Sequence, residues 1–321
     1  MPPILPITAP FFALVLCGWL AGRLRGLPQE AIPGLNGFVL YFALPCLLFR
    51  FGAGTPVRQL LDPTLLSVWM LGAALLGAVT VRLTLRSGLP LKDAAFGALV
   101  AVFPNTGFVG VPLLVALLGP AAAGPTICVL SADLVVTTTA CLALADAQGQ
   151  GRHGAWRALR RILLGVAKNP MPWAVALGAL FSVMGWRLWG PADAVVKMLA
   201  DAASPVALFT IGAVLWRAGQ HAHTRTPPSR ALPIAAVKLL LHPLLVLGLG
   251  LAAQALGLPL SDFALQVIVL VAALPSASNV AMLAERWGAD SGRVAAIIMS
   301  STVAAFVSFT AIATAYGMAP H

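Results

Sequence analysis

Apolar residues in this chain come in long runs rather than in alternating or helical stripes, and polar residues collect at the ends of those runs. With roughly 20 apolar residues per membrane crossing, the pattern predicts helices near 6–22, 31–49, 63–82, 93–118, 124–145, 170–189, 194–216, 231–252, 262–286 and 293–316. The connectors are short apart from 146–169 and 217–230, so no soluble domain is inserted and one membrane domain covers residues 1–321. The expected fold class is an all-α membrane protein with ten transmembrane helices.

Two of the runs carry helix breakers in mid-span. The fourth contains Phe103-Pro104-Asn105-Thr106-Gly107-Phe108-Val109-Gly110, and the ninth contains Leu274-Pro275-Ser276-Ala277-Ser278-Asn279. Proline lacks an N–H and crowds the carbonyl one turn earlier, and glycine adds little packing to restore a helix. In hydrocarbon each unpaired backbone group costs on the order of several kcal/mol, so a break persists only where protein, water or a ligand meets it. Interrupted helices at matching places in two halves of a chain are the best sequence pointer to the binding site of a transporter.

Composition agrees with this reading. The chain is 60% hydrophobic and 9% charged, with a mean hydropathy of +0.92, against about 25% charged residues in soluble domains. A net charge of +10 could suggest nucleic acid, but the bases lie in short segments between apolar runs and lack interleaved aromatics, which argues against it. Cys17, Cys46, Cys128 and Cys141 fall inside apolar runs without C-x-x-C spacing, so neither a disulfide framework, a metal site nor a cofactor is indicated. Basic residues follow the first apolar run rather than precede it, the reverse of a secretory signal, so it reads as a retained helix.

The charges also orient the spans. Arg23, Arg25, Arg82, Arg86, Lys92, Arg152, Arg157, Arg160, Arg161, Lys168, Arg217, Arg225, Arg230, Arg286 and Arg293 fall on one face, fifteen in all, against Arg50, Arg58, Arg187 and Lys197 on the other. Positive residues favour the cytoplasmic side, so the expectation is a multi-pass plasma (inner) membrane protein with both termini non-cytoplasmic and a cytoplasmic connector at 146–169.

An internal repeat is visible in the prolines. Ala43-Leu44-Pro45-Cys46-Leu47-Leu48-Phe49 in span two and Ala203-Ser204-Pro205-Val206-Ala207-Leu208-Phe209 in span seven both read A-x-P-x-x-L-F, and the Pro104 and Pro275 breaks are likewise five spans apart. Five is odd, so the second set of spans would run opposite to the first, giving inverted repeats at about 6–145 and 170–316. Two halves with near-equivalent packings can exchange roles, which yields alternating access.

Pro104-Asn105-Thr106-Gly107-Phe108-Val109-Gly110-Val111-Pro112 resembles the span-four signature of the auxin efflux carrier family. Lys168-Asn169-Pro170, Ile211-Gly212-Ala213, Lys238 to His242-Pro243, and Leu274-Pro275 through Glu285-Arg286-Trp287-Gly288 extend the resemblance over nearly the whole chain. It implies two inverted five-helix repeats related to bile-acid symporters, with broken helices four and nine crossing. It further implies a mobile core of spans three to five and eight to ten on a scaffold of spans one, two, six and seven. Members of the family move small organic anions, auxin-like monocarboxylates or malate- and malonate-type dicarboxylates. The short 146–169 connector resembles compact prokaryotic members, and the resemblance leans towards a homodimer.

If the spans cross, half-helices starting near Gly107 and Ser278 bring free N–H groups to mid-membrane, each with about half a positive charge. An anion suits such a place. The expected substrate-binding residues are Pro104, Asn105, Thr106, Gly107, Pro275, Ser276, Ser278 and Asn279, with Phe103 and Phe108 as apolar lining; the alternative for the asparagines is that they satisfy freed backbone. Asp133 lies about ten residues into span five, where a charge costs about 2.5–3.5 kcal/mol, with Ser131 and Thr137 nearby. It is read either as a proton or cation site or as a packed, hydrogen-bonded residue. Lys238 is placed near enough to the cytoplasmic face to snorkel, with a counter-charge to Asp133 or substrate as the alternative. His242 is read as a packed histidine or a titrating group, Asp201 as a partner for backbone freed by Pro205, and His153, His221 and His223 as solvated loop residues. The expected activity is secondary transport of a small organic acid anion by an elevator or rocking motion. The alternatives are a sodium- or proton-coupled symporter or antiporter of the same fold, and a membrane receptor or intramembrane enzyme. No G-x-S-x-G or H-E-x-x-H motif supports an enzyme.

Overall fold

The structure is a computed structural model that describes residues 4–147, 160, 164–165, 167–220, 227 and 230–316. His153, His221, His223, Arg152, Arg157, Arg161 and Arg225 lie outside the described residues. The described chain is helical: α1 (Leu5–Arg23), α2 (Ala31–Gly54), α3 (Pro63–Arg86), α4 (Leu91–Val102), α5 (Thr106–Leu118), α6 (Pro120–Asp146), α7 (Pro170–Met184), α8 (Gly190–Gln220), α9 (Leu232–Ala255), α10 (Asp262–Ala273), α11 (Asn279–Arg286) and α12 (Ser291–Ala315). Seven of these segments, α1, α2, α3, α6, α8, α9 and α12, are long and apolar enough to cross a membrane, and α5, α7 and α10 are shorter apolar helices. The protein is an all-α membrane protein.

Helix starts follow local chemistry. Asp62 accepts hydrogen bonds from the N–H groups of Thr64 and Leu65 ahead of α3, and Ser261 accepts one from Ala264 ahead of α10. Asn169 does the same for Met171 at α7, with Pro170 in the first turn where no N–H is needed. Each such cap satisfies a donor that the helix cannot.

The helices pack as two groups. In one, α1 lies along α8 and α7 along α2, and α2 and α8 also touch. Backbones meet there because small residues face each other: a Cβ on Gly18 would strike the carbonyl of Phe209, and one on Gly212 that of Val15. On the α2–α7 side, a Cβ on Gly178 would strike the carbonyl of Phe49, and one on Gly52 would sit tightly, 3.1 Å from that of Val175. In the other group, α3, α4, α6, α9, α10 and α12 surround a centre in which all of Ala94–Val102 and nearly all of Ala264–Ala273 are buried. A helix apolar on every side is a buried one, and α4 and α10 are the axis of this group.

Two readings of the charges change. Arg293, counted above among the orienting bases, is 3% exposed; its guanidinium donates to the Asp93 carbonyl and to Thr84 Oγ1, both at 3.1 Å. It ties α12 to the start of α4 and the end of α3, a structural role beyond its place in the charge count. Asp201 is exposed and makes no hydrogen bond among the described residues, while α8 runs unbroken through Pro205. Pro205 offers no N–H to the Asp201 carbonyl one turn back, and that freed group is an acceptor, which an ionised carboxylate cannot serve.

Candidate functional site: the meeting of two broken helices

α4 ends at Val102, and Phe103 turns extended at φ −94° and ψ 100°, because the residue before a proline is driven out of the helical region. Residues 103–105 then lie antiparallel to 275–277. The Asn105 N–H donates to the Pro275 carbonyl at 2.8 Å, and the Ala277 N–H donates to the Phe103 carbonyl at 3.0 Å. Pro104 and Ser276 thus face each other as a pair without mutual hydrogen bonds, the position where a missing N–H costs nothing. The outward N–H of Ser276 is taken by Ser301 Oγ of α12 at 3.2 Å. A Cβ on Gly110 would come within 2.6 Å of Leu274 Cδ1, so glycine there is what lets the start of α5 close on the end of α10.

Beyond the crossing each chain resumes a helix. The first ladder bonds of α5 run from Val109 and Gly110 to the Asn105 carbonyl, both at 3.0 Å, which leaves the N–H groups of Thr106, Gly107 and Phe108 ahead of the ladder. Ser278 and Asn279 hold the same place before α11. Asn105 is 3% exposed and its side chain has no hydrogen bond among the described residues; Ser276 Oγ and Asn279 Oδ1 are likewise unpartnered, and Thr106 Oγ1 has only a long contact, 3.5 Å, to the Pro104 carbonyl. Two N-terminal helix ends therefore meet with surplus donors and no fixed cation in contact, which is an arrangement suited to a carboxylate.

A cavity of about 540 Å³ leads towards this point. Gln29 and Glu30, in the turn before α2, and Glu285, near the end of α11, stand among its lining residues, Asn36 and Arg217 also line it, and Ser278 and Asn279 bring it to the second break. Pro104, Asn105, Thr106 and Gly107 do not line it, and Phe103 and Phe108, each 5% exposed, are packed away from it. Of the residues expected at the site, the structure brings all eight to one crossing but opens the cavity only onto Ser278 and Asn279. Glu30, Asn36 and Arg217 were missed by sequence reasoning; Arg217 had been read only as an orienting charge, and nothing local distinguishes a cavity residue from a solvated span end.

Behind the crossing lies a buried polar cluster. Asp133 Oδ1 accepts from Trp69 Nε1 at 3.0 Å and from Thr137 Oγ1 at 2.8 Å, and its Oδ2 has no partner. Lys238 does not snorkel: it is 0% exposed, with Nζ 2.8 Å from His242 Nδ1 and 2.9 Å from the Ala272 carbonyl. The rings of His242 and Trp69 lie 5.1 Å apart. Asp133 and Lys238 make no direct contact; Trp69 stands between them, its indole N–H on Asp133 and its ring against His242, the partner of Lys238. Trp69 had given no sign of this role, and Ser131 takes no part in it.

Comparison with known proteins bears on the chain as a whole. A family profile described as "Membrane transport protein" matches residues 3–313. A Rhizobium meliloti protein named "Putative malonate transporter" is 28% identical over 319 residues, covering 97% of this chain and 95% of that one. A Methanothermobacter thermautotrophicus protein named "Uncharacterized transporter" is 27% identical, covering 92% of each chain, and Escherichia coli "Uncharacterized transporter YfdV" is 25% identical, covering 87% of this chain and 86% of its own. With nearly every residue inside the profile, the chain belongs to the membrane transport protein family, that of the auxin efflux carriers, and is a transporter rather than an enzyme.

Proposed function

We propose that the protein is a secondary transporter of small organic acid anions that works by alternating access. The observation that carries this reading is the crossing: two helix N-termini, Asn105, Ser278 and Asn279 converge where an anion would be held by neutral donors. Neutral donors grip a carboxylate less tightly than a buried arginine pair, so release is fast enough for turnover. The name borne by the Rhizobium relative favours a dicarboxylate such as malonate.

The twelve helices make ten crossings when α4 with α5, and α10 with α11, each count as one broken span. The packing supports an inverted repeat. The contact of Gly18 with the Phe209 carbonyl has a counterpart in that of Gly178 with the Phe49 carbonyl, and Gly52 has one in Gly212. Residue numbers differ throughout by 160, since 178 − 18, 209 − 49 and 212 − 52 all equal 160. The same offset relates Pro45 to Pro205. In this reading α1, α2, α7 and α8 are the scaffold and the other group carries the crossing across the membrane. Arg217, one of the fifteen bases on the more basic face, lines the cavity, so by the charge bias the cavity faces the cytoplasm, with both termini on the other side of the inner membrane.

The test is uptake of radiolabelled malonate, malate and indole-3-acetate into proteoliposomes. Losing one hydrogen bond to a charged group costs about 1.5–3 kcal/mol, so Asn105→Ala and Asn279→Ala should each raise KM about ten- to a hundredfold while the proteins remain monodisperse. Wild-type uptake in both variants would sink the assignment of the crossing as the substrate site.

A further inference from the structure

We propose that Lys238 is a tethered cation: its ammonium fills the cation position behind the crossing, so that anion transport needs no coupling sodium ion or proton. The inference builds on the reading of the crossing as the transport site. Broken helices in transporters offer two kinds of charge, free N–H groups for anions and free carbonyls at half-helix C-termini for cations. Here the carbonyl of Ala272, in the last turn of α10, receives the Lys238 ammonium at 2.9 Å. It is one of the carbonyls the broken helix cannot satisfy internally, and it carries the negative end of the helix dipole.

The rest of the cluster fits the same role. An ammonium has three donors. One meets the Ala272 carbonyl, one meets Nδ1 of His242, and the carboxylate of Asp133, with its unpartnered Oδ2, supplies the opposite charge across the gap. With Lys238 as the ammonium, His242 accepts at Nδ1 and is neutral, which puts its proton on Nε2, a nitrogen without a partner among the described residues. The ionisable groups around the ammonium are Asp133 of α6 and His242 of α9, with Cys141 of α6 near Asp133. Lys238, Asp133, His242, Trp69 and Ala272 are all 0% exposed, so the site is closed to a diffusible ion while the side chain is present. Lysine brings its charge on a flexible stem from α9; the four contributing elements, α3, α6, α9 and α10, all belong to the group that carries the crossing.

The experiment is chemical replacement of the missing ammonium, read first by thermal unfolding of the purified full-length protein without substrate. Lys238→Ala should unfold at lower temperature than wild type. About 50 mM n-propylammonium chloride should raise its midpoint by at least about 3 °C relative to tetramethylammonium chloride, with less than about 1 °C in wild type. Lys238→Met, which fills the space, should show no such recovery. Should Lys238→Ala fail to fold, Lys238→Met and Asp133→Asn/Lys238→Met decide. Removing the ammonium alone leaves a buried carboxylate uncompensated, so the double variant should be the more stable of the two. In proteoliposomes, malonate uptake by wild type should be unchanged by imposed sodium or proton gradients. Selective stabilisation of wild type by sodium, gradient-driven uptake, absence of propylammonium recovery in a folded Lys238→Ala, or a double variant no more stable than Lys238→Met would each overturn the proposal. Propylammonium recovery without malonate flux in wild type would uphold the tethered cation and count only against malonate transport.

Discussion

The indole of Trp69 is the group that lets a carboxylate sit fully enclosed in an apolar protein. Its Nε1–H and the Thr137 hydroxyl both serve Asp133 Oδ1, and a buried acceptor stripped of a donor costs about 1–3 kcal/mol, more when charged. Trp69→Phe keeps the ring and removes the donor, so its thermal unfolding midpoint should fall by several degrees; an unaltered midpoint would mean that the indole contributes packing alone. Ser301 plays a comparable part at the second break, since its Oγ accepts the N–H of Ser276. Ser301→Ala should destabilise by about 1–3 kcal/mol, read as a lower denaturation midpoint, whereas Ser300→Ala, whose hydroxyl only bonds back to Ala296, should change it little.

Among elements, three of the four π-helical turns in the described residues coincide with the crossing or the polar cluster, and the fourth, Val39–Ala43, lies within α2 just ahead of Pro45. The three are Thr106–Gly110, Asp133–Thr137 and Val237–Leu241, and they hold the free amides at the first break, Asp133 and Lys238. A π turn inserts one residue into the ladder and shifts every later side chain around the axis. The glycine contacts set a different constraint, the distance between helices. Gly212→Val would press a branched side chain into the Val15 carbonyl, so α1 must leave α8; the expected outcome is loss of monodisperse protein on size exclusion. Gly54→Val, at a glycine with open space around its Cα, should elute as wild type. The sequence made both kinds of element partly visible: Pro104 and Pro275 announced the breaks, and Ile211-Gly212-Ala213 stood out as a motif, but the π turns carry no local residue signature and were not foreseen.

At the scale of the whole molecule, two packed groups meet along surfaces that include the cavity wall, with Glu30, Asn36 and Arg217 on one side and, on the other, Ser278, Asn279 and Glu285 of α11 and its cap, a helix that packs on α12 and α4 of the second group. In the alternating access proposed above, relative motion of the groups closes this side and opens the opposite one. In a cysteine-free background, Asn279→Cys should react with a membrane-impermeant maleimide from the cytoplasmic side in inverted vesicles, and Asn105→Cys, 3% exposed in this state, should react at least about tenfold more slowly. Equal rates at the two positions would contradict the one-sided cavity.

Hydropathy and proline are local properties, and they sufficed for the number and place of the apolar runs, the two interruptions and the surplus of amide and hydroxyl donors around them. Rotation of each helix about its axis is not local. In a bilayer the lipid-facing and protein-facing sides of a span are equally apolar, so no periodicity in the sequence tells them apart. Hence the snorkelling read for Lys238 and the backbone partner read for Asp201 failed, the structural role of Arg293 and that of Trp69 were passed over, and the side of the crossing that meets the cavity was not foreseen. The primary structure determined that two helices break at the core of this protein; only the tertiary structure decided that the breaks join each other, that Lys238 turns inward onto the carbonyl end of one of them, and that Ser278 and Asn279 form the open side.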